Sequence, residues 1–340
     1  MSALIAIFMD SFRLLQARRL FWISFGISML VALVYASIGF DSKGMTMFFG
    51  WKHFENETLR MGTPEAASFY VMLFTDWIVG WWLAWFALGL ALISTAGIFP
   101  DFISEGSIGI SLSKPVSRLR IFLLKFVGGL LFVALQMAVF TLIVYLAIGL
   151  RIGEWNLTIF WAVPLVTFVF GLLYSVAVFI GVWSRSTLFA LLGTLALWIV
   201  SWLTHWTEEK VYIFAHMIPE SGVSMDFKKG NVNEGEEELD KNQTLVKSHQ
   251  VVQSIGMPLP KTRDCTLYLK RMIRMKERDS MLSGMSLTDL LSGAIINPLQ
   301  ARAAKKAEER HSPWYVFGTS TIFGCVVLSV GALIFCRRDY

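Results

Sequence analysis

Charge is what this sequence has least of. Only 16% of its 340 residues are Asp, Glu, Lys or Arg, whereas a soluble domain carries about a quarter. A soluble chain of this size could not hide the 55% that are hydrophobic, and mean hydropathy is +0.58. The composition therefore points to a membrane protein. Cysteine is scarce too. Cys265 stands alone in a polar region, and Cys325 and Cys336 share one apolar run. That excludes a disulfide framework and zinc spacing, and leaves packing or neutral surface roles. The histidines, His53, His205, His216, His249 and His311, are scattered in sequence with no close ligand pair. Exposed polar side chains are the expectation for them. Neither HExxH nor GxSxG occurs, and there is no G-x-x-x-x-G-K-[ST]. The nearest stretch, "GFDSKG", lacks the Lys after its second Gly. The chain cannot hold and split ATP at a Walker-type site of its own, so no enzymatic activity and no bound cofactor are expected. A cleavable leader is not expected either, because Asp10 interrupts the first twenty residues and Arg18-Arg19 closes them.

What is present is long apolar runs. A hydrocarbon core of roughly 30 Å needs about 20 apolar residues per helix. Six runs qualify: Leu20–Phe40, Ser68–Phe99, Ile121–Leu150, Leu157–Trp183, Thr187–Trp206 and Val316–Phe335. Ahead of the first, Leu4, Ile5, Phe8, Phe12 and Leu15 share a helical face. This suits a helix lying in the interface, or an extension of the first crossing. Basic residues in the short loops set orientation. Arg13, Arg18, Arg19, Lys114, Arg118, Arg120, Arg185, Arg337 and Arg338 fall on one side; Lys43, Lys52, Arg60 and Arg151 fall on the other. The bias puts both termini in the cytoplasm. It also accounts for the net charge of +5 without nucleic acid.

The expected fold class is thus an all-α polytopic membrane protein with six transmembrane helices. Residues 1–206 would hold the interfacial helix and five crossings. Residues 207–313 would form an outer segment, and residues 314–340 the sixth crossing with a short cytoplasmic tail. The outer segment opens loosely: "KKGNVNEGEEELDKNQ" is a solvated linker by composition. Glu234, Glu236–Glu238 and Asp240 lack the spacing of a calcium loop. Its second half has helical patterns, with a break near Asn297-Pro298, that would cap the outer mouth, pack on the bilayer surface or form a small subdomain. The triplets at Asn56, Asn156 and Asn242 all fall on this outer side.

Ionisable groups inside a bilayer are costly and kept for a purpose. The candidates are Asp76, near the outer interface, and Lys125, placed to snorkel at the cytoplasmic end. Gln136 is uncharged and mid-helix. The aromatic set Trp77, Trp81, Trp82 and Trp85 covers more than one face of the second crossing; belt packing or the lining of an apolar path both fit. A possible translocation path would use Trp77, Trp81, Trp85 and Gln136.

Between the second and third crossings lies "DFISEGSIGISLSKPVSRLR", Asp101–Arg120, too polar for the bilayer. Pro100 would close the preceding helix, Asp101 would cap a short one, and Pro115 would stop it. Phe102, Ile103, Ile108 and Ile110 would offer an apolar face, a knob suited to a groove on a soluble partner.

The stretch resembles the segment between helices two and three of ABC type-2 exporter permeases. Glu105, Gly106, Leu112, Ser113, Pro115, Val116, Ser117, Arg118 and Lys125 match that family's pattern. The layout of crossings is also similar, and the likeness leaves out Gly222–Arg263. The resemblance implies a permease subunit that pairs with a second permease chain in a bacterial cytoplasmic (inner) membrane. It implies two copies of a separate ABC ATPase subunit, which would hold the ATP and Mg. Phe102–Ser113 would be the coupling helix, with Phe102, Ile103, Glu105, Gly106, Ile108, Leu112, Pro115 and Arg118 carrying the contact. The first, second and fifth helices would face the dimer centre. An ion-coupled carrier dependent on Asp76, and a non-transporting anchor or assembly factor, are the other readings.

Overall fold

A computed structural model of the chain describes residues 19–104, 116–216, 243–273 and 310–338. The expected interfacial helix, the stretch 105–115, the acidic linker and the Asn297-Pro298 break lie outside them. The described residues contain six helices long and apolar enough to cross a membrane: Arg19–Ser37, Pro64–Ile103, Arg118–Ile152, Leu157–Ser184, Thr187–Tyr212 and Pro313–Arg337. The chain is a multi-pass membrane protein.

Helix α1, Arg19–Ser37, stops short of the expected Phe40. Gly39 and Phe40 instead open an antiparallel meander of β1 (Gly39–Asp41), β2 (Gly44–Met47) and β3 (Lys52–Glu55), with Gly39 opposite Thr46 and Met45 opposite Phe54. Gly44 has φ 145°, and a Cβ there would collide with the backbone of Phe54, so only glycine fits the turn. The strands hold only three or four residues each, too few for a period of two to show in the sequence.

The second crossing is built in pieces. Thr63 caps it, accepting from Ala66 N at 3.2 Å, with Pro64 and Glu65 in the first turn. Helix α2 runs as Pro64–Met72, Leu73–Ala87 and Leu88–Thr95, and its middle piece of 15 residues is a π-helix. Such geometry ordinarily lasts a single turn and marks functional sites. Side-chain burial follows the wider winding. Phe74, the pair Ile78 and Val79, Leu83 and Ala87 are buried, four or five residues apart from one turn to the next, while Trp77, Trp81 and Phe86 face outward. The expectation that Pro100 ends the crossing is corrected. A short helix, α3 (Ile98–Ser104), takes Pro100 into its first turn, where a missing N–H costs no hydrogen bond, and Asp101 stands inside it rather than at its cap.

The remaining elements are α4 (Arg118–Ile152), α5 (Ala162–Ser184), α6 (Thr187–His216), α7 (Gln243–Gly256), α8 (Thr262–Met272) and α9 (Pro313–Arg337). Gly153, at φ 72°, ends α4, and Ser312 caps α9 with Pro313 behind it. Helix α5 is the hub, packed against α4, α6 and α9. Helix α7 lies along α6, and α8 lies against α2, α5, α6 and α9, so part of the segment between the fifth and sixth crossings packs on the bundle.

Polar groups inside the bundle tie helices together, as they must where water is absent. Gln136 is buried and donates to Ser28 Oγ at 3.1 Å, joining α4 to α1. Tyr35 and Tyr70 stack at 4.5 Å, and each hydroxyl donates to the other's backbone carbonyl at 3.2 Å. Lys125 does not snorkel. It is buried, with its ammonium 4.0 Å from the centre of the Phe102 ring. Small residues set the helix spacing: a Cβ on Gly129 of α4 would lie 2.8 Å from the ring of buried Tyr174 on α5, whereas nothing stands within 4 Å of one on Gly89. Gly129→Leu is therefore expected to destabilise the chain by about 1–3 kcal/mol, the usual cost of overpacking. Gly89→Leu should leave stability unchanged. Thermal unfolding of the two variants in detergent, followed by size-exclusion fluorescence, checks the contrast.

Candidate functional site

Arginines gather the helix ends on one side. Arg118 donates to the carbonyls of Cys336 at 3.1 Å and Arg338 at 2.8 Å. Arg338 donates to Val182 O at 2.9 Å and Trp183 O at 3.0 Å. Each guanidinium satisfies carbonyls at or just past a helix C-terminus, which the helix itself leaves without donors. Thr187 Oγ1 donates to Asp101 Oδ1 at 3.1 Å, joining the start of α6 to α3. Phe102 is buried and stacks on Phe335 with centroids 6.5 Å apart, and Ile103 is buried beside it. Both belong to the chain's own core, which corrects their assignment to an outward apolar face. Of the other coupling residues expected from the sequence, Arg118 clamps the end of α9, while Glu105, Gly106, Ile108, Leu112 and Pro115 lie outside the described residues.

The opposite side carries a cavity of mixed aromatic and basic lining. The short helix α8 is anchored at its start by Lys261, which is buried. Lys261 N donates to Ser320 Oγ at 3.1 Å, and its ammonium donates to Thr319 Oγ1 at 3.0 Å and sits 4.5 Å from the Tyr315 ring. Burial lowers the Lys261 pKa from its usual value, and burial likewise raises that of the Cys265 thiol next along the helix. Ser201 Oγ donates to Pro260 O at 2.6 Å, fastening the same turn to α6. Two ion pairs complete the seat: Lys270 with Asp76 of α2 at 3.0 Å, and Arg263 with Glu209 of α6 at 2.6 Å. Gly80 makes room for the first, because a Cβ there would stand 3.2 Å from Lys270 Nζ.

Between α8 and the helices beneath it lies a cavity of about 130 Å³. Trp85, Trp198 and Trp202 form its wall, with Trp85 stacked on Trp198 at 5.1 Å and edge-on to Trp202 at 5.2 Å. Thr262, Arg263 and Lys270 line the side contributed by α8. Trp85 is thus the one residue of the expected path that enters this chamber. Trp77 and Trp81 are 39% and 62% exposed on the outer face of α2, and Gln136 lies between α1 and α4.

A polar compartment adjoins the chamber, lined by His205, Glu208, Asp264, Arg271, Arg310 and His311 among others. Glu208 is buried and pairs with Arg310; His249 stands 3.4 Å from it and His311 3.8 Å. Arg310 also contacts His249 Nε2 at 2.9 Å and lies 4.2 Å from the Tyr212 ring. The expectation of exposed histidines holds for His53 and is corrected for three others: His205 and His249 are buried, and the half-buried His311 joins them around Glu208. Among the described residues no group of three His, Cys, Asp or Glu could hold a metal ion.

Sequence reasoning passed over Trp198, Trp202, Thr262, Arg263, Lys270, Glu208 and Arg310. One signal was available: in "WIVSWLTHW" tryptophan recurs every fourth residue, at 198, 202 and 206, along one helical face. The partners on α8 carry no such signal, since their pairing spans up to 194 residues. Comparison with family models, with curated proteins and with solved structures finds no match.

The buried Glu208 gives a test of the compartment. Arg310→Met should destabilise the solubilised chain by about 3–5 kcal/mol, because it strands a carboxylate in a desolvated place. The double variant Glu208→Gln, Arg310→Met should recover most of that loss. Thermal unfolding of both single variants and of the double variant is the measurement; a double loss equal to the sum of the single losses would show that the two side chains act independently.

Proposed function

We propose that the chain is the permease subunit of an ATP-driven exporter of the ABC type-2 class. In that assembly it pairs in a bacterial cytoplasmic membrane with a second permease chain, and two separate ATPase subunits hold ATP and Mg. The observation that carries the reading is the anchoring of the segment between the second and third crossings. Its two flanks, Asp101–Ile103 and Val116–Arg118, are tied by hydrogen bonds and ring contacts to α6 and α9. Force applied to that segment by a partner reaches several crossings at once, as a coupling lever requires. The resemblance of Glu105–Arg118 to the coupling segment of such permeases supports the same reading. Bilayer-sized apolar faces on α1, α6 and α9, such as Leu30, Leu33, Leu192, Ile199, Ile322 and Val326, are exposed and available to lipid or to the second chain.

An ion-coupled carrier is disfavoured by the state of Asp76. Its carboxylate is engaged by Lys270 at 3.0 Å, so it would need to break an ion pair before carrying a proton or sodium ion.

The test is purification of the chain, tagged and expressed from its own genome, in mild detergent. A Walker-type ATPase should copurify, and a reactive label on Arg118→Cys should be accessible from the cytoplasm. Glu105→Ala should leave the complex assembled while reducing the permease's stimulation of ATP hydrolysis about tenfold, within the ordinary range of site-to-site coupling. Purification without any ATPase, or labelling of position 118 only from outside, would overturn the proposal.

A further inference from the structure

The chamber between α2, α6 and α8 has two properties that structural packing does not call for. The first is a pair of buried donors left without partners. Arg263 Nη1 and Thr262 Oγ1, on adjacent residues of α8, are shielded from solvent and find no hydrogen-bond partner among the described residues, yet both side chains line the cavity. An unmet buried donor costs about 1–3 kcal/mol, more on a charged group. Folded chains keep such groups where something else meets them.

The second is the separation of chemistry across the cavity. Its cations, Arg263 and Lys270, both come from α8, and among the described residues no carboxylate lines it. Asp76 and Glu209 pair with those cations from outside the lining. The opposite wall, from the membrane-crossing helices, is the indole surface of Trp85, Trp198 and Trp202. Water would satisfy the two donors but gains nothing against three indole faces. A group that is anionic at one end and apolar behind it satisfies both sides.

We infer that the chamber binds the anionic end of an amphiphile, a phosphate or carboxylate held by Arg263 and Thr262 beneath Lys270. The first carbons behind it lie against the three tryptophans. A volume of about 130 Å³ takes a head group and not a whole lipid, so the chain of the amphiphile lies outside it. As the substrate class of the exporter, this assignment rests on the permease reading; as a binding site, it does not.

The experiment uses the full chain in phosphatidylcholine nanodiscs. Dodecyl phosphate is titrated, and binding is read as a saturable rise in thermal midpoint and as quenching of tryptophan by the same probe carrying bromine near its head. Dodecanol and inorganic phosphate are run alongside. Dodecyl phosphate should bind, and dodecanol and phosphate should bind at least about tenfold more weakly, since each lacks half of the recognition. Arg263→Gln should weaken dodecyl phosphate by about tenfold or more. Gly80→Leu, which fills the space under Lys270 without removing a charged partner of Glu209, should weaken it similarly. Nanodiscs containing phosphatidylglycerol separate two sources of the same chemistry. Competition by that lipid makes a resident membrane lipid the ligand; absence of competition points to a transported amphiphile. Equal response to dodecanol, equal response to inorganic phosphate, or unchanged affinity in both folded variants would overturn the site. Binding by a chain that copurifies with no ATPase would sink the permease reading alone. An ATPase complex that binds none of the probes would sink the ligand alone.

Discussion

An ion pair between residues 194 apart, Asp76 and Lys270, fixes where the short helix α8 sits. Helix α8 has only 11 residues, too few to hold its own shape in water. It exists because the bundle receives it. Lys270 reaches α2 over Gly80, Arg263 reaches Glu209, and Lys261 is buried against α9 through Ser320, Thr319 and Tyr315. Cys265 and Leu269 fill the face between these anchors. Without that seat the indoles of Trp85, Trp198 and Trp202 would open to solvent, and the chamber would have no roof.

The same seat explains the unusual winding of α2. A helix with 3.6 residues per turn has a buried stripe that repeats at three and four. Here the buried side repeats at four and five, from Phe74 to Ala87, and the outward side carries Trp77, Trp81 and Phe86. The wider turn keeps Asp76, Gly80 and Trp85 within reach of one short helix. A π-helix has less favourable hydrogen bonding, and such stretches persist where function requires them. Their coincidence with the chamber is the structural reason to look for function there.

The six crossings were legible because a bilayer leaves no choice: each must be a helix with an apolar run of fixed minimum length. The capping of α2 by Thr63-Pro64 and of α9 by Ser312-Pro313 follows from local chemistry that a sequence displays directly. What was not legible depended on long-range choice. Nothing around Asp76 announces Lys270, and His249, His311 and Arg310 converge on Glu208 only because α7 and the two residues 310 and 311, just before α9, come against α6. Lys125 looked placed to snorkel because its depth was readable while the Phe102 ring over it was not. The π-winding was hidden for another reason: sequence patterns are read against a period of 3.6, so Trp77, Trp81 and Trp85 seemed to share a role that the structure divides.

The two ends of the bundle are joined by the elements that make the chamber. Trp85 stands on α2 and Trp198 and Trp202 on α6. At the other end of the bundle, Asp101, just beyond α2, accepts a hydrogen bond from Thr187, the first residue of α6. Thr187 and Trp198 are separated by about 16 Å of continuous helix, at 1.5 Å per residue. A displacement of the Asp101 segment therefore travels along a rod rather than through a loop, and it arrives at an aromatic wall. The roof is fastened to the same two helices: Arg263 of α8 pairs with Glu209 of α6, Ser201 of α6 donates to Pro260 O just before α8, and Lys270 pairs with Asp76 of α2. Movement of α6 against α2 therefore acts on the aromatic wall and on both ion pairs of the roof at once.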